Sequence, residues 1–385
     1  MNFHSVNLRG SRPTPQRLAF VIPNMTVGGA ARVASILCAE WVAAGHEVHL
    51  VTYEDPGTPP IYPIDPSVVR HQIGLSVSPE NMFGFVSNNA QRVFRLRRAL
   101  KKIKPTAVIS FLLNANITAV VAGRSLGIPV IISDRNHPGH DKISSVREKV
   151  REFIYPFASR VCVQTENIRS WYGENLKLDT VVIPNPAPSP DCRPVTVDAA
   201  QSIRRLRAIS LGRLVYQKGL DRLIDAFALI SAEAAQWDLA IYGVGEARED
   251  LEKQIEARGL RERVFLMGNT TDAMRELRGS DLYVHAARYE GYPNAILEAL
   301  AAGLCVVATD CPGATSEILD RGKYGILVPD ADADCLAEGM KKAMIDDVVR
   351  ERFATLAPKA IENITPDAIA QRWVREVEQC QKVAV

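Results

Sequence analysis

Along most of the chain, short β-branched and apolar runs alternate with segments whose apolar residues recur at helical spacing, the pattern of parallel sheets covered by helices on both faces. In the first half the runs at 18–23, 47–53, 107–111, 130–133, 161–164 and 180–183 predict the strands of one doubly wound α/β sheet. Pro184-Asn-Pro-Ala-Pro-Ser-Pro190 then carries four prolines in seven residues, which forbids regular structure and marks a boundary. Beyond it, runs at 206–211, 239–242, 264–267, 282–285, 305–309 and 325–328 predict a second sheet of the same kind. The expected organisation is a disordered tail over 1–17, a Rossmann-like domain over 18–186, a linker over 187–203 and a second Rossmann-like domain over 204–365. A last helix over 366–385, with Ile369, Trp373 and Val377 on one face, completes the chain. Ligands of such sheets bind beyond the carboxyl ends of the strands, so the strand-to-helix loops are where chemistry is expected, in a cleft between the two domains.

Composition changes this picture little. The 385 residues are 47% hydrophobic and 23% charged, an ordinary globular balance, and a net charge of +2 gives no reason to expect a nucleic-acid partner. The seven cysteines form no Cys-x-x-Cys pair and several lie in apolar runs, which reads as buried thiols of a reducing cytoplasm. The most apolar stretch, 117–132, is broken by Arg124 and Gly127-Ile-Pro129, too interrupted for a span of about 20 residues. Asp330-Ala-Asp-Ala-Asp334 has the spacing of a hard-cation site, but capping of the helix that follows accounts for it better.

Candidate chemistry sits at the expected strand ends. Glu290-Gly-Tyr-Pro-Asn-Ala-Ile-Leu-Glu298 follows a strand and opens a helix, with Pro293 suited to the first turn and free amides behind it able to face a phosphate. Glu290 before the helix and Glu298 about two turns inside it offer two carboxylates for two sets of hydroxyls, although a capped amphipathic helix with surface glutamates has the same pattern. Leu211-Gly-Arg-Leu-Val-Tyr-Gln-Lys-Gly219 puts Arg213 and Lys218 on one strand-to-helix loop. A guanidinium fork and an ammonium there can neutralise a departing diphosphate, or simply form a solvated basic turn. Gly28 and Gly29, after the first strand, let backbone amides approach a ligand, as does Gly243 after the run ending at Tyr242, and tight turns explain both equally well.

Taken together, Gly-Gly-Ala-Ala-Arg32, Gly212-Arg213 with Lys218-Gly219, and the glutamates at 290 and 298 resemble glycosyltransferase family 4 over nearly the whole chain. Gly268-Asn269, Cys311-Pro-Gly-Ala-Thr-Ser-Glu-Ile318 and Gly325-Ile-Leu-Val-Pro329 extend the likeness. The resemblance implies the GT-B fold, retention of anomeric configuration and no bound metal or other cofactor. It assigns Arg213 and Lys218 to the donor diphosphate, Glu298 to the ribose, Glu290 to the donor sugar, and Gly29 to the phosphate or acceptor. Gly28, Gly243, Asn269, Gly291, Tyr292, Asn294 and Leu297 count among the expected substrate contacts. Many members place a histidine in the loop after the strand at 130–133; here that loop reads Ser133-Asp-Arg-Asn-His-Pro138. Arg135 takes the position in an ungapped alignment, and His137 takes it with a two-residue shift.

The helix expected over 91–104 has Val93, Leu96, Leu100 and Ile103 on one face and leaves Arg92, Arg95, Arg98 and Lys102 outward. Such a cationic face suits an anionic membrane surface, as it equally suits solvent, and Arg147, Lys149 and Arg151 near Phe153, Tyr155 and Phe157 extend it. The expected partners are therefore a nucleoside diphosphate sugar (UDP-linked N-acetylhexosamine favoured, GDP-mannose as alternative), a lipid-linked or polysaccharide acceptor, and the cytoplasmic membrane face. A nucleotide-sugar epimerase and a non-catalytic sugar-nucleotide binder share this architecture.

Overall fold

The computed structural model describes residues 14–383 except 27, 76–81, 140–142, 193–204 and 331. The first part of the expected tail and most of the expected linker lie outside the described residues. Strands β1 (Arg17–Ile22), β2 (Glu47–Thr52), β3 (Val69–Gln72), β4 (Ala107–Phe111), β5 (Val130–Ser133), β6 (Arg160–Val163) and β7 (Thr180–Val182) form one sheet. Its order is β3-β2-β1-β4-β5-β6-β7 and every pairing is parallel. Between them run α1 (Gly28–Ala43), α2 (Met82–Ile103), α3 (Leu113–Arg124), α4 (Ser145–Ile154) and α5 (Glu166–Leu176).

The second sheet comprises β8 (Leu206–Leu211), β9 (Trp237–Tyr242), β10 (Val264–Gly268), β11 (Leu282–His285), β12 (Val306–Asp310) and β13 (Ile326–Pro329). Its order, β10-β9-β8-β11-β12-β13, is again wholly parallel. Helices α6 (Leu220–Ile230), α7 (Arg248–Ala257), α8 (Ala273–Arg278), α9 (Asn294–Ala301), α10 (Thr315–Ile318), α11 (Ala333–Ile345) and α12 (Asp347–Leu356) cover it, and α13 (Pro366–Val383) ends the chain. In each sheet the strand order reverses beside the first strand, between β1 and β4 and between β8 and β11. Crevices for ligands open at these switch points.

Period-two alternation explains why both faces of each sheet are buried. Leu18, Phe20 and Ile22 of β1 point into one apolar cluster with Trp41 of α1, while Ala19 and Val21 point into another with Leu96 and Leu100 of α2. Helix α13 packs on the first sheet rather than the second. Ile369, Trp373 and Val377 enter the cluster under β1, the Trp41 indole N–H donates to the Ala370 carbonyl at 3.1 Å, and Arg160 pairs with Glu376 at 3.1 Å.

Several expectations are corrected. Strand β3, Val-Arg-His-Gln, lacks the apolar run that marks the others because it is an exposed edge. Gln16 is buried and Arg17 begins β1, so the end of the expected tail belongs to the sheet. Arg92 does not face outward: it lies one turn before Leu96 on the inward side of α2, buried, with two guanidinium nitrogens on the Leu75 carbonyl. Arg151 is likewise inside, 1% exposed and paired with Glu148 at 2.8 Å. Cys192 is exposed rather than buried. Asp332 caps α11 by accepting from the Cys335 amide at 3.1 Å, and Asp330 pairs with Arg222.

Candidate active site

The loops after β8 and β11 are fastened to each other. The Arg288 amide donates to the Gln217 carbonyl at 2.8 Å, the Gln217 amide group to the Tyr289 carbonyl at 3.0 Å, and the Arg288 guanidinium grips Asp221 at the start of α6. Gly219, at φ 60°, lies so close to the Ala286 carbonyl that a Cβ there would come within 2.0 Å of its oxygen. That fastening brings Lys218 against Glu290, whose carboxylate accepts a hydrogen bond from the ammonium. On its other side stands His285, with Nε2 3.3 Å from the same carboxylate oxygen and Nδ1 3.3 Å from the Tyr283 hydroxyl. Glu290 is buried, which alone would push its carboxyl up; Lys218 and His285 outweigh burial and hold it down at about 2.

Arg213, on the same loop as Lys218, is exposed and makes no ion pair with a described residue. Its loop rests on the one after β9: Gly243 has φ 148°, and a Cβ there would sit 1.8 Å from the Gly212 carbonyl oxygen. Gly243 is thus required to let two strand-end loops touch. Asn269, after β10, is exposed.

Helix α9 faces the first sheet. Pro293 is its extended N-cap residue rather than part of its first turn, at φ −75° and ψ 96°. Asn294 donates to the Gly29 carbonyl at 3.3 Å and accepts from Asn185 at 2.6 Å, placing the glycine pair of α1 opposite the N-terminus of α9. Glu298, 5% exposed, meets Arg32 of α1 across the cleft at 2.7 Å. Burial raises the Glu298 carboxyl above the usual range, and Arg32 opposes that shift in part. Leu297 packs its side chain in the apolar cluster beneath α9, 1% exposed, so its side chain does not line the cleft.

From the first sheet, the loop after β5 closes the site. Gly291 lies against it so tightly that a Cβ would stand 2.3 Å from the Arg135 carbonyl oxygen. Arg135 is buried, with its guanidinium on the Asn185 side-chain oxygen and 4.2 Å from the centre of the Phe111 ring. Burial lowers its pKa to about 9. His137 Nδ1 accepts from the Gly139 amide at 3.2 Å, so its Nε2 donates to Asn167 at 2.7 Å. Tyr292 adds its carbonyl as an acceptor for Asn185 at 3.4 Å. The loop is anchored by buried Asp134, which accepts from Tyr155 at 2.6 Å, Tyr172 at 2.5 Å and Asn116 at 3.1 Å.

The structure therefore gathers Lys218, Glu290, Glu298, Asn294, Gly29, Gly291 and the loop of Arg135 and His137 at one junction. His285, Arg32, Asp134 and Asn185 also belong to it, although sequence reasoning assigned none of them a role there. A histidine inside an apolar strand reads as core, and the Arg32 to Glu298 pairing joins residues far apart in the sequence. Among the described residues no group of three or more His, Cys, Asp and Glu is arranged to hold a metal ion.

Comparison with known proteins gives the family and the fold. The family model for glycosyl transferases group 1 matches residues 202–360, and that for Glycosyltransferase Family 4 matches residues 27–188. The amylovoran biosynthesis glycosyltransferase AmsD of Erwinia amylovora is 24% identical over 90% of this chain and 95% of its own. An α-1,4-N-acetyl-D-galactosaminyltransferase of Campylobacter jejuni, named for a glycan acceptor on PP-undecaprenol, is 22% identical over 94% of this chain and 98% of its own. The Anabaena protein HepE, solved with UDP and glucose, shares the fold at a TM-score of 0.74 and 18% identity, over 94% of this chain and 99% of that one.

Proposed function

We propose, for a chain that belongs to glycosyltransferase family 4 by the models matching its two halves, that it transfers a hexose or N-acetylhexosamine from a UDP-sugar to a lipid-linked or polysaccharide acceptor. Transfer proceeds with retention of configuration and without a metal. The observation that carries this reading is the junction itself: one exposed and one carboxylate-bound cation after β8, buried glutamates before and within α9, and Gly29 opposite. UDP in the Anabaena structure and the undecaprenol-linked acceptor of the Campylobacter relative support the choice of donor and acceptor.

In the reaction Arg213 and Lys218 face the diphosphate, Glu298 exchanges Arg32 for the ribose hydroxyls, and Glu290 accepts from hydroxyls of the donor sugar. The bond from the anomeric carbon to the diphosphate breaks as the acceptor oxygen bonds the same face of that carbon. The acceptor proton passes to the departing phosphate oxygen, so no carboxylate has to act as nucleophile. Negative charge grows on the diphosphate as it leaves, and fixed cations stabilise it more in the transition state than in the bound donor. Lys218→Ala should lower turnover by about 100-fold, with donor KM changed only a few-fold, in an assay of nucleotide release. Turnover that survives the change would remove the leaving-group role. Retention is read from the anomeric coupling of the product by NMR, and an inverted product would overturn it.

Association with the cytoplasmic membrane face rests on a surface that differs in part from the one the sequence suggested. Phe94, Phe153 and Phe157 are 66%, 70% and 42% exposed. Phe153 and Phe157 touch edge to face at 5.7 Å, and Arg124 lies 5.2 Å over Phe157. Arg95, Arg97, Arg98, Lys101, Lys102 and Lys149 are exposed on the same helices, α2 and α4. Among the described residues no helix is long and apolar enough to cross a membrane, whereas aromatics amid cations suit an anionic interface. Sedimentation with anionic vesicles at low salt should capture the protein, and Phe153→Ser with Phe157→Ser should release it.

A further inference from the structure

Beside the junction lies a cavity of about 670 Å³ whose walls come from both sheets. Helix α5 supplies one wall through Asn167, Ser170, Trp171 and Glu174, residues at helical spacing that share a face. The opposing wall is the segment from Asp310 to Glu317, and His137 also lines the cavity. That segment is tied to the candidate reaction centre: the Glu290 amide donates to the Pro312 carbonyl at 2.9 Å and the Ala314 amide to the Gly291 carbonyl at 3.1 Å. The two walls are also tied to each other, because the Glu317 carboxylate accepts from the Glu166 and Asn167 amides at the start of α5, at 3.1 and 3.0 Å.

The lining chemistry selects a ligand class. Trp171 is half-buried, its ring held by buried Arg151, 5.1 Å from the ring centre, and by the edge of Tyr172 at 5.3 Å. A ring fixed in this way offers its electron-rich face to polarised C–H groups at little entropic loss. Around it stand hydrogen-bonding groups in the Asn, Ser and carboxylate side chains. No Lys or Arg is among the lining residues, while Glu174, Asp310 and Glu317 are acidic, so a phosphate or another anion is disfavoured. The volume falls within the range of roughly 300–1,000 Å³ usual for small-ligand sites.

We infer that this cavity is a subsite for uncharged pyranose units of the acceptor, with Trp171 as its stacking platform and Glu174 and Asn167 as hydroxyl partners. The inference rests on the transferase reading and adds the end of the acceptor that is recognised. Saccharide rings enter between α5 and the Pro312 segment, while any lipid diphosphate stays outside this cavity.

Trp41, Trp237 and Trp373 are buried, leaving Trp171 as the tryptophan that a quencher in solution reaches. The full chain, with and without UDP, is titrated with methyl α- and β-pyranosides of glucose, galactose, mannose, N-acetylglucosamine and N-acetylgalactosamine, and separately with inorganic phosphate. Acrylamide quenching of fluorescence and saturation-transfer NMR are both read. At least one pyranoside should shield Trp171, phosphate should not, and Trp171→Ala and Glu174→Ala should each weaken pyranoside binding about tenfold with UDP binding unchanged. Absence of shielding by every pyranoside, shielding by phosphate, or pyranoside binding that survives Trp171→Ala would overturn the subsite. Loss of UDP binding in Trp171→Ala would place the donor, not the acceptor, in the cavity. A chain that binds pyranosides through Trp171 but binds no UDP would count against the donor reading and leave the subsite standing.

Discussion

Glu290 keeps its charge inside the protein because Lys218 and His285 face it from two sides. Its carboxyl is held at about 2, below the ordinary range near 4.3. A group lowered in this way stabilises the fold above its unfolded pKa and loses that contribution as pH falls through the folded value. Glu290→Gln should therefore lose about 2–3 kcal/mol at pH 7, and roughly half of that deficit should have gone at pH 3, as read by urea unfolding at the two pH values. At this scale the sequence exposed the charged members of the site, since glutamates and cations at strand ends have few apolar explanations. It hid His285, whose apolar neighbours in Tyr-Val-His-Ala read as core, and Arg32, whose partner is distant in sequence.

Strand-end loops stay in place through glycines that admit another backbone, and their roles differ by local geometry. Gly243 combines φ 148° with a carbonyl 1.8 Å from where a Cβ would stand, whereas Gly259 has φ 67° and open space around it. Gly243→Ala should destabilise by about 3 kcal/mol or more and separate the loops that position Arg213, while Gly259→Ala should lose only about 1 kcal/mol; paired thermal melts decide between them. The interior strands were legible to within a residue or two at most ends because parallel strands buried on both faces read as continuous apolar runs. Edge strand β3 was not, since Val69-Arg-His-Gln72 has one side open to solvent. Helix α2 was located by its stripe, but the inward Arg92 was misplaced: its aliphatic stem lies toward the core, and its charged end finds the Leu75 carbonyl and the Tyr53 ring, 5.5 Å away.

Across the whole molecule, charged groups are among the contacts that draw the sheets together: Arg32 with Glu298, and Glu317 on the first amides of α5. Arg32→Ala leaves Glu298 buried without its cation, and raises further a carboxyl that burial already holds above the usual range. Ionised, such a group destabilises the fold, so the deficit should be present above the raised value and should shrink as pH falls through it, in the same sense as Glu290→Gln but at higher pH. Trp373→Ala should lose about 3–5 kcal/mol by opening a cavity between α13 and the first sheet, read by denaturant midpoint. The two sheets were legible from the sequence; the face on which they meet was not, because it depends on single side chains far apart along the chain. The most direct test of the account is thermal stabilisation by UDP, GDP, ADP and dTDP at matched concentrations. Ligand at about 100 times its Kd adds roughly 2.7 kcal/mol, so UDP should raise Tm clearly above the other three, and Glu298→Ala should abolish the shift. No shift with any nucleotide, or a UDP shift untouched by Glu298→Ala, would contradict a donor site built on α9.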